Sequence, residues 1–186
     1  MGTQHDHLEP QFQKFIKAQP IFFTGTAAAT GKVNVSPKGM DSLRILGPNR
    51  IVWRNLTGSG NESAAHVDEV PRMTIMWCSF SGPPMILRAF ATARSIHLND
   101  PDWEELNAMF EPNHTARQIF DLDVDMVQKS CGYAVPEMTF EKERDVLTNW
   151  GERKSDEDIR THWLKYNQTT LDGFETHIAK RNIDPK

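Results

Sequence analysis

The sequence has few cysteines, no long apolar run and no excess of basic residues. Its 186 residues include two cysteines, which form no Cys-x-x-Cys motif, so a disulfide framework is excluded and a reducing cytoplasm is favoured. No apolar run reaches the roughly 18 residues that a membrane span needs, and residues 1–7 show no signal-peptide pattern. The formal net charge of -4 argues against a nucleic-acid partner, because phosphate backbones are bound by basic surfaces.

Motifs for a zinc site and for a serine nucleophile are also missing. The seven histidines show no spacing typical of a zinc site, so we expect no bound metal. No Gly-x-Ser-x-Gly elbow presents a serine nucleophile.

What is present is the pattern of a small barrel. With 38% hydrophobic and 25% charged residues, the composition is that of a single globular domain. Six short segments combine β-branched or aromatic residues with Gly/Pro turns between them, which favours a barrel over a doubly wound sheet. These predicted strands are residues 21–29, 32–36, 43–46, 51–53, 72–78 and 85–97.

Helices are predicted around this barrel. Residues 1–9 are polar and are expected to be frayed, and a short amphipathic helix follows them up to Pro20. Further predicted helices are residues 61–68, 100–110 and 115–120, before a closing strand at 124–130. We divide the chain into a barrel unit, residues 1–140, and a charged helical extension, residues 141–186, which packs on the barrel or on a partner chain.

Residues 51–65 form the most informative stretch. A strand that ends at Trp53 and Arg54 leads into a loop with two glycines and two hydroxyls, and Asn61 then has the character of a helix N-cap. Unpaired N–H groups and the positive end of a helix dipole would meet there, which predicts an anion site to which Arg54 adds a guanidinium. The alternative is a glycine-rich turn that only caps the helix.

Ser36 and Lys38 lie near the end of the second hairpin strand. A hydroxyl and a cation at a strand end can both face a ligand. The alternative for Lys38 is a solvated turn lysine beside a proline.

Four ordered motifs resemble those of the pyridoxamine 5'-phosphate oxidase-like flavoproteins. They are residues 33–39 (VNVSPKG), 51–62 (IVWRNLTGSGNE), 72–80 (RMTIMWCSF) and 130–136 (SCGYAVP), and the last is similar to the signature of a short branch of that family. The likeness covers about residues 10–140. It implies a mainly β fold with peripheral helices, an FMN-binding split β-barrel of six or seven strands, and a homodimer that binds FMN at its interface.

The resemblance also implies a set of cofactor-binding residues. Carried over to this sequence, they are Ser36 and Lys38 beside the flavin or its phosphate, Trp53 and Arg54 along the ring or ribityl chain, and Ser59, Gly60, Asn61 and Ser63 at the phosphate. Because a flavin carries its own hydride chemistry, the protein needs only to bind it and to orient a substrate over it.

The function implied is that of an FMN-dependent oxidoreductase acting on a small organic substrate, with NAD(P)H or oxygen as redox partner. One alternative is a flavin-binding store, sensor or interaction module without turnover. Others are a haem-binding split barrel with His66 or His97 as axial ligand, and a deazaflavin in place of FMN. Vitamin B6 oxidation is not expected, because residues 181–186 lack the Arg-Leu-x-Pro terminus of the true pyridoxamine phosphate oxidases.

Overall fold

The computed structural model describes residues 2–184, which form one antiparallel sheet of eight strands with six short helices around it. The strands are β1 Thr3–His5, β2 Phe22–Thr26, β3 Asn34–Lys38, β4 Leu43–Gly47, β5 Arg50–Leu56, β6 Arg72–Cys78, β7 Ile86–His97 and β8 Ala116–Ser130. The helices are α1 Pro10–Lys17, α2 Glu62–Glu69, α3 Trp103–Asn107, α4 Val146–Glu152, α5 Asp156–Tyr166 and α6 Ile178–Asn182. The predicted class, mainly β with peripheral helices, is confirmed.

The two longest strands, β7 and β8, organise the sheet. Its order is β3-β2-β6-β7-β8-β5-β4, and β1 adds to β8 outside this path. The pairing of β7 with β8 shifts register between Phe90 and Ala91, which leaves Asp125 of β8 as the extra residue of a bulge. A bulge bends the strand that carries it, so this irregularity lies in β8 and not in the strand for which the sequence predicted a bend. Strands β3 and β4 stand at the two ends of the path, which is why Pro37 is tolerated in β3: an edge strand can spare one N–H.

Two predictions about local structure are wrong. Residues 3–5 are not frayed but pair with residues 127–129 of β8, so that the described chain has eight strands rather than six or seven. Residues 115–120 are not a helix: from Ala116 onward they belong to β8 and pair with β5 and β7. A short apolar run is compatible with a helix or with a strand. Here the pairing with β5 and β7 makes it a strand.

The main core lies inside this sheet and beneath α1. Trp53 of β5 stacks on Phe120 of β8 with ring centroids 4.7 Å apart, and Phe12 and Ile16 of α1 are buried against the same cluster. Trp53 is therefore fixed from one side by the core. This packing restricts the movement of β5, the strand that carries Trp53.

The C-terminal extension packs on the barrel of its own chain. Ile159, Trp163 and Ile178 form a small buried cluster, and the Trp163 indole N–H donates to the Thr57 hydroxyl at 2.8 Å. Residues 141–145 carry no helix, contrary to the sequence prediction, and regular structure resumes only at α4. No helix among residues 2–184 has the length and apolar character to cross a bilayer.

Candidate anion-binding cleft

One cleft of about 560 Å³ gathers residues from five separate segments. Strands β3 and β5, the loop before α2 and one residue of β8 form its walls, and the C-terminal extension covers it. The lining residues are Asn34, Ser36, Lys38, Trp53, Asn55, Ser59, Gly60, Asn61, Glu62, Ser63, Arg117, Tyr166, Thr169, Thr170 and Leu171. Seven of the eight sequence-predicted site residues are therefore brought together here.

Strand alternation directs the β3 side chains into the cleft. Asn34, Ser36 and Lys38 line the cleft, whereas Val33, just before the strand, and Val35 are exposed. The Lys38 ammonium lies 5.2 Å from the centroid of the Trp53 ring, a cation–π distance. β3 thus presents two polar groups and a cation to the cleft, and an apolar face to its outside.

Arg54 is the predicted residue that does not reach the cleft. Its neighbours Trp53 and Asn55 line the cleft, and successive side chains of a strand point to opposite faces. The Arg54 guanidinium instead stacks over Phe110 and donates to the carbonyl of Glu111 at 2.8 Å. The prediction that Arg54 lies along the ligand does not fit this cleft. Arg54 comes just before the loop in the sequence, but the pleat of β5 directs its side chain to the opposite face of the strand.

Arg117 supplies the guanidinium that the sequence analysis missed. The pairing of β5 with β8 shifts register between Asn55 and Leu56, which leaves Arg117 as the extra residue of a bulge, a feature that re-aims side chains beside functional sites. The bulge explains how Arg117 comes to line the cleft. The sequence analysis did not predict this bulge, because it expected residues 115–120 to be helical.

Both hydrogen-bond partners found for the Arg117 side chain are neutral amides. Its Nη1 donates to Asn167 Oδ1 at 2.7 Å. With the Asn55 amide oxygen turned toward it, Nε and Nη2 also donate at 3.2 and 3.3 Å. No ion pair among residues 2–184 involves either Arg117 or Lys38. Two cations therefore face one cleft without a paired carboxylate.

Burial lowers the pKa of both cations. It lowers the pKa of Lys38 to about 8, and the nearby charge of Arg117 adds to that effect. Burial likewise lowers the pKa of Arg117 to about 9, with Glu62 acting weakly in the opposite direction. Since a buried charge is costly unless it is compensated, an anion in the cleft would relieve both groups.

Asn61 adds an unsatisfied polar group. It is the N-cap residue of α2, as predicted, but its side chain makes no capping bond. Both its Nδ2 and its Oδ1 are buried without a hydrogen-bond partner, although such groups are nearly always paired. A ligand at the start of α2 would satisfy an amide that the described protein leaves open.

The hydroxyls around Asn61 differ in how far they are already engaged. Ser63 Oγ accepts from Asn34 Nδ2 at 3.2 Å and lies 3.3 Å from Thr26 Oγ1, so it is held in a buried network. Ser59, by contrast, is exposed in the loop, next to Gly60. The loop thus combines one positioned hydroxyl with one that is free to move toward a ligand.

The two histidines considered as haem ligands are buried elsewhere. His66 Nδ1 lies 3.2 Å from the Thr26 hydroxyl, and His97 Nδ1 lies 2.8 Å from Asn182 Oδ1. Neither of them lines the cleft.

Comparisons with known proteins show which family this chain belongs to. Residues 8–131 match the family model described as pyridoxamine 5'-phosphate oxidase. The chain is 31% identical over 201 residues to the pyridoxamine 5'-phosphate oxidase family protein ustO of Aspergillus flavus, covering 98% of this chain and 81% of that protein. The chain belongs to the pyridoxamine 5'-phosphate oxidase family.

Solved structures support the family fold. A provisionally assigned pyridoxamine 5'-phosphate oxidase from Lactobacillus delbrueckii superimposes with a TM-score of 0.52 at 19% identity, over 66% of this chain and 94% of that one. A tagged HupZ variant from Group A Streptococcus superimposes with a TM-score of 0.54 at 13% identity, over 66% of this chain and 99% of that one. The split barrel expected from the sequence motifs is confirmed. The family match ends at residue 131, before the extension that covers the cleft.

Proposed function

We propose that this protein binds FMN in the cleft and works as an FMN-dependent oxidoreductase in the cytoplasm. The observation that carries the proposal is the meeting of Lys38, Arg117 and the unpaired Asn61 amide at the start of α2. Such an arrangement suits a phosphate, which gains from charge-assisted bonds and from a helix N-terminus. Membership of the family supports a flavin as the molecule that carries it.

The residues present fit the two ends of FMN. Arg117, Asn61, Ser59 and Ser63 would hold the phosphate, because all of them lie at or beside the loop before α2. Lys38 would lie toward the ring, since its ammonium stands over Trp53. When bound, the flavin supplies hydride chemistry, while Lys38 offers a positive charge near the ring, where negative charge develops on reduction.

A turnover assay distinguishes an FMN-dependent oxidoreductase from a protein that only stores flavin. The FMN-loaded protein is to be mixed with NADH or NADPH under air and, in a second series, with candidate small organic acceptors. Oxidation of the nucleotide faster than with free FMN at the same concentration would support an oxidoreductase. Rates equal to free FMN with every donor and acceptor would leave the storage role as the better description.

We further propose that the protein is a homodimer. Support comes from apolar side chains that this single chain leaves exposed: Val33, Val35, Met138, Phe140 and Val146. Met138, Phe140 and Val146 line one groove, and exposed apolar surface of this kind is typical of an interface. Sedimentation equilibrium should give a mass near twice 21.2 kDa, and a monomer at micromolar concentration would contradict the proposal.

Affinity for FMN should depend on pH through Lys38. A phosphate monoester is mainly doubly charged above its second pKa of about 6, and Lys38 is protonated below its pKa of about 8. Lys38 would lie toward the ring, so it would attract the phosphate across the cleft and not through a direct contact. This attraction is fully present below that pKa and is lost as pH rises above it, although the negative charge of bound FMN moves the midpoint upward. Fluorescence titrations from pH 6.5 to 9.5 should show affinity falling by up to about tenfold.

Lys38→Gln is the matched variant for this dependence. It removes the group that titrates near pH 8, so its affinity should start lower and fall only toward pH 9, where Arg117 begins to lose its proton. An equally steep fall in Lys38→Gln would show that another group, and not Lys38, controls the dependence.

A further inference from the structure

Arg117 lies at a point of β8 where neither neighbouring strand offers it a partner. The ladder with β5 passes from Gln118 to Ala116 and skips Arg117. The ladder with β7 ends at the pair of His97 and Gln118. Because Arg117 is nevertheless buried, contacts from outside the two ladders have to fix its position.

The C-terminal helix α6 supplies a contact to the main chain of this bulge. The Asn182 side chain, itself buried, donates from Nδ2 to the Arg117 carbonyl at 2.8 Å. A carbonyl in a buried residue needs such a partner, since leaving it unpaired is costly. Helix α6 therefore holds the backbone from which the Arg117 side chain extends.

The orientation of the Asn182 amide is set by two other groups. Its Oδ1 accepts from the Leu98 backbone N–H at 3.3 Å and lies 2.8 Å from His97 Nδ1. Burial lowers the pKa of His97 to about 3, so the ring is neutral and has one N–H, which lies on Nδ1 when it donates to this oxygen. With its oxygen engaged there, the amide can only present its NH₂ group to Arg117.

The side chain of Arg117 is held by a second amide of the C-terminal extension. Asn167 accepts from Arg117 Nη1 at 2.7 Å and donates to the Gly58 carbonyl at 3.0 Å. Both amides lie outside residues 8–131, which match the family model. A carboxylate in the place of Asn167 would also bind the guanidinium but would neutralise it. Neutral amides hold the cation and leave its charge uncompensated.

We infer that Asn182 is a positioning residue for the anion site: together with Asn167 it holds Arg117 toward the cleft, so that docking of α6 and binding of an anion are coupled. The inference rests on the proposed function, in which Arg117 holds the phosphate of FMN. A cation held in place in advance binds more tightly, because the ligand does not have to order a long side chain. The coupling is reciprocal, so a ligand on Arg117 stabilises the docking of α6.

Asn182→Leu tests the role of the amide, because it removes the hydrogen bonds at nearly constant volume. The dissociation constant of FMN, measured by isothermal titration with the full-length protein, should rise about 3- to 10-fold. Lys180→Ala is the matched control, since Lys180 is an exposed residue of the same helix. Its dissociation constant should stay within about twofold of the wild type.

The same substitution in an Arg117→Met background distinguishes positioning from a general effect on the fold. If Asn182 acts through Arg117, Asn182→Leu should change the dissociation constant of the Arg117→Met protein by less than about twofold. An equal loss of affinity in both backgrounds would show that Asn182 supports the fold at large, and would overturn the inference.

Hydrogen exchange on the wild type tests the coupling without relying on the folding of a variant. Bound FMN should slow the exchange of the amides of residues 178–183 at least about fivefold more than that of α1, which serves as internal control. In Arg117→Met this excess should disappear. Equal slowing of both segments in the wild type overturns the inference and leaves the proposed function standing, whereas failure of the wild type to bind FMN overturns both.

Discussion

Replacing Arg117 by methionine is expected to weaken FMN binding by about 10- to 100-fold, because at least one hydrogen bond between a guanidinium and a phosphate is lost, worth about 1.5–3 kcal/mol. The free energy of unfolding of the flavin-free variant should change little. Removal of an uncompensated buried cation is stabilising, and it is offset because the buried amides of Asn167 and Asn55 lose their donor. FMN affinity should therefore fall without a matching loss of stability.

Arg54→Met is the control for this experiment. Arg54 is also a buried arginine, on the strand that pairs with β8, but its guanidinium lies over Phe110, away from the cleft. Its FMN affinity should stay within about threefold of the wild type. Isothermal titration with FMN and urea unfolding of both variants provide the comparison. A loss of affinity for Arg54→Met with none for Arg117→Met would reverse the assignment of the phosphate ligand.

Replacing Trp163 by alanine should have the largest effect on stability. The side chain is 2% exposed, packs with Ile159 and Ile178, and donates to Thr57. Loss of a large buried aromatic side chain costs about 3–5 kcal/mol. The Thr57 hydroxyl also loses one of its two hydrogen bonds and keeps the one that it donates to the Thr115 carbonyl. Because Thr57 begins the glycine loop, FMN affinity should fall as well.

Leu164→Ala is the neighbouring control for Trp163→Ala. Leu164 is 44% exposed on the same helix, and its replacement should change the free energy of unfolding by less than about 0.5 kcal/mol. Urea denaturation followed by far-UV circular dichroism measures both. Equal, small changes would mean that the extension does not dock through Trp163.

The sequence was sufficient where local chemistry decides the structure. The glycines of residues 58–60 and the N-cap character of Asn61 place a loop before α2, and that loop lines the cleft. The hairpin that carries Ser36 and Lys38 follows in the same way from its turn at Gly31, whose φ is +85°. Four ordered motifs then led to the family that the comparisons confirm.

Sequence reasoning failed where pairing between distant strands decides the structure. Arg117, to which the sequence analysis gave no role, lines the cleft and Arg54 does not, because the pleat of β5 and the bulge in β8 set which side chain faces the cleft. Residues 3–5 join the sheet because β8 offers an edge to them. The position of Asn167 is a similar case, since no local pattern indicates that it meets Arg117, 50 residues away in the chain.

The central claim is that the cleft binds FMN, and the most direct measurement is the absorbance spectrum of the freshly purified protein, followed by mass spectrometry of any chromophore released on denaturation. The account predicts flavin bands and the mass of FMN, in the protein as isolated or after incubation with FMN and gel filtration. A colourless protein that takes up no FMN, or a haem spectrum with no flavin, would contradict it.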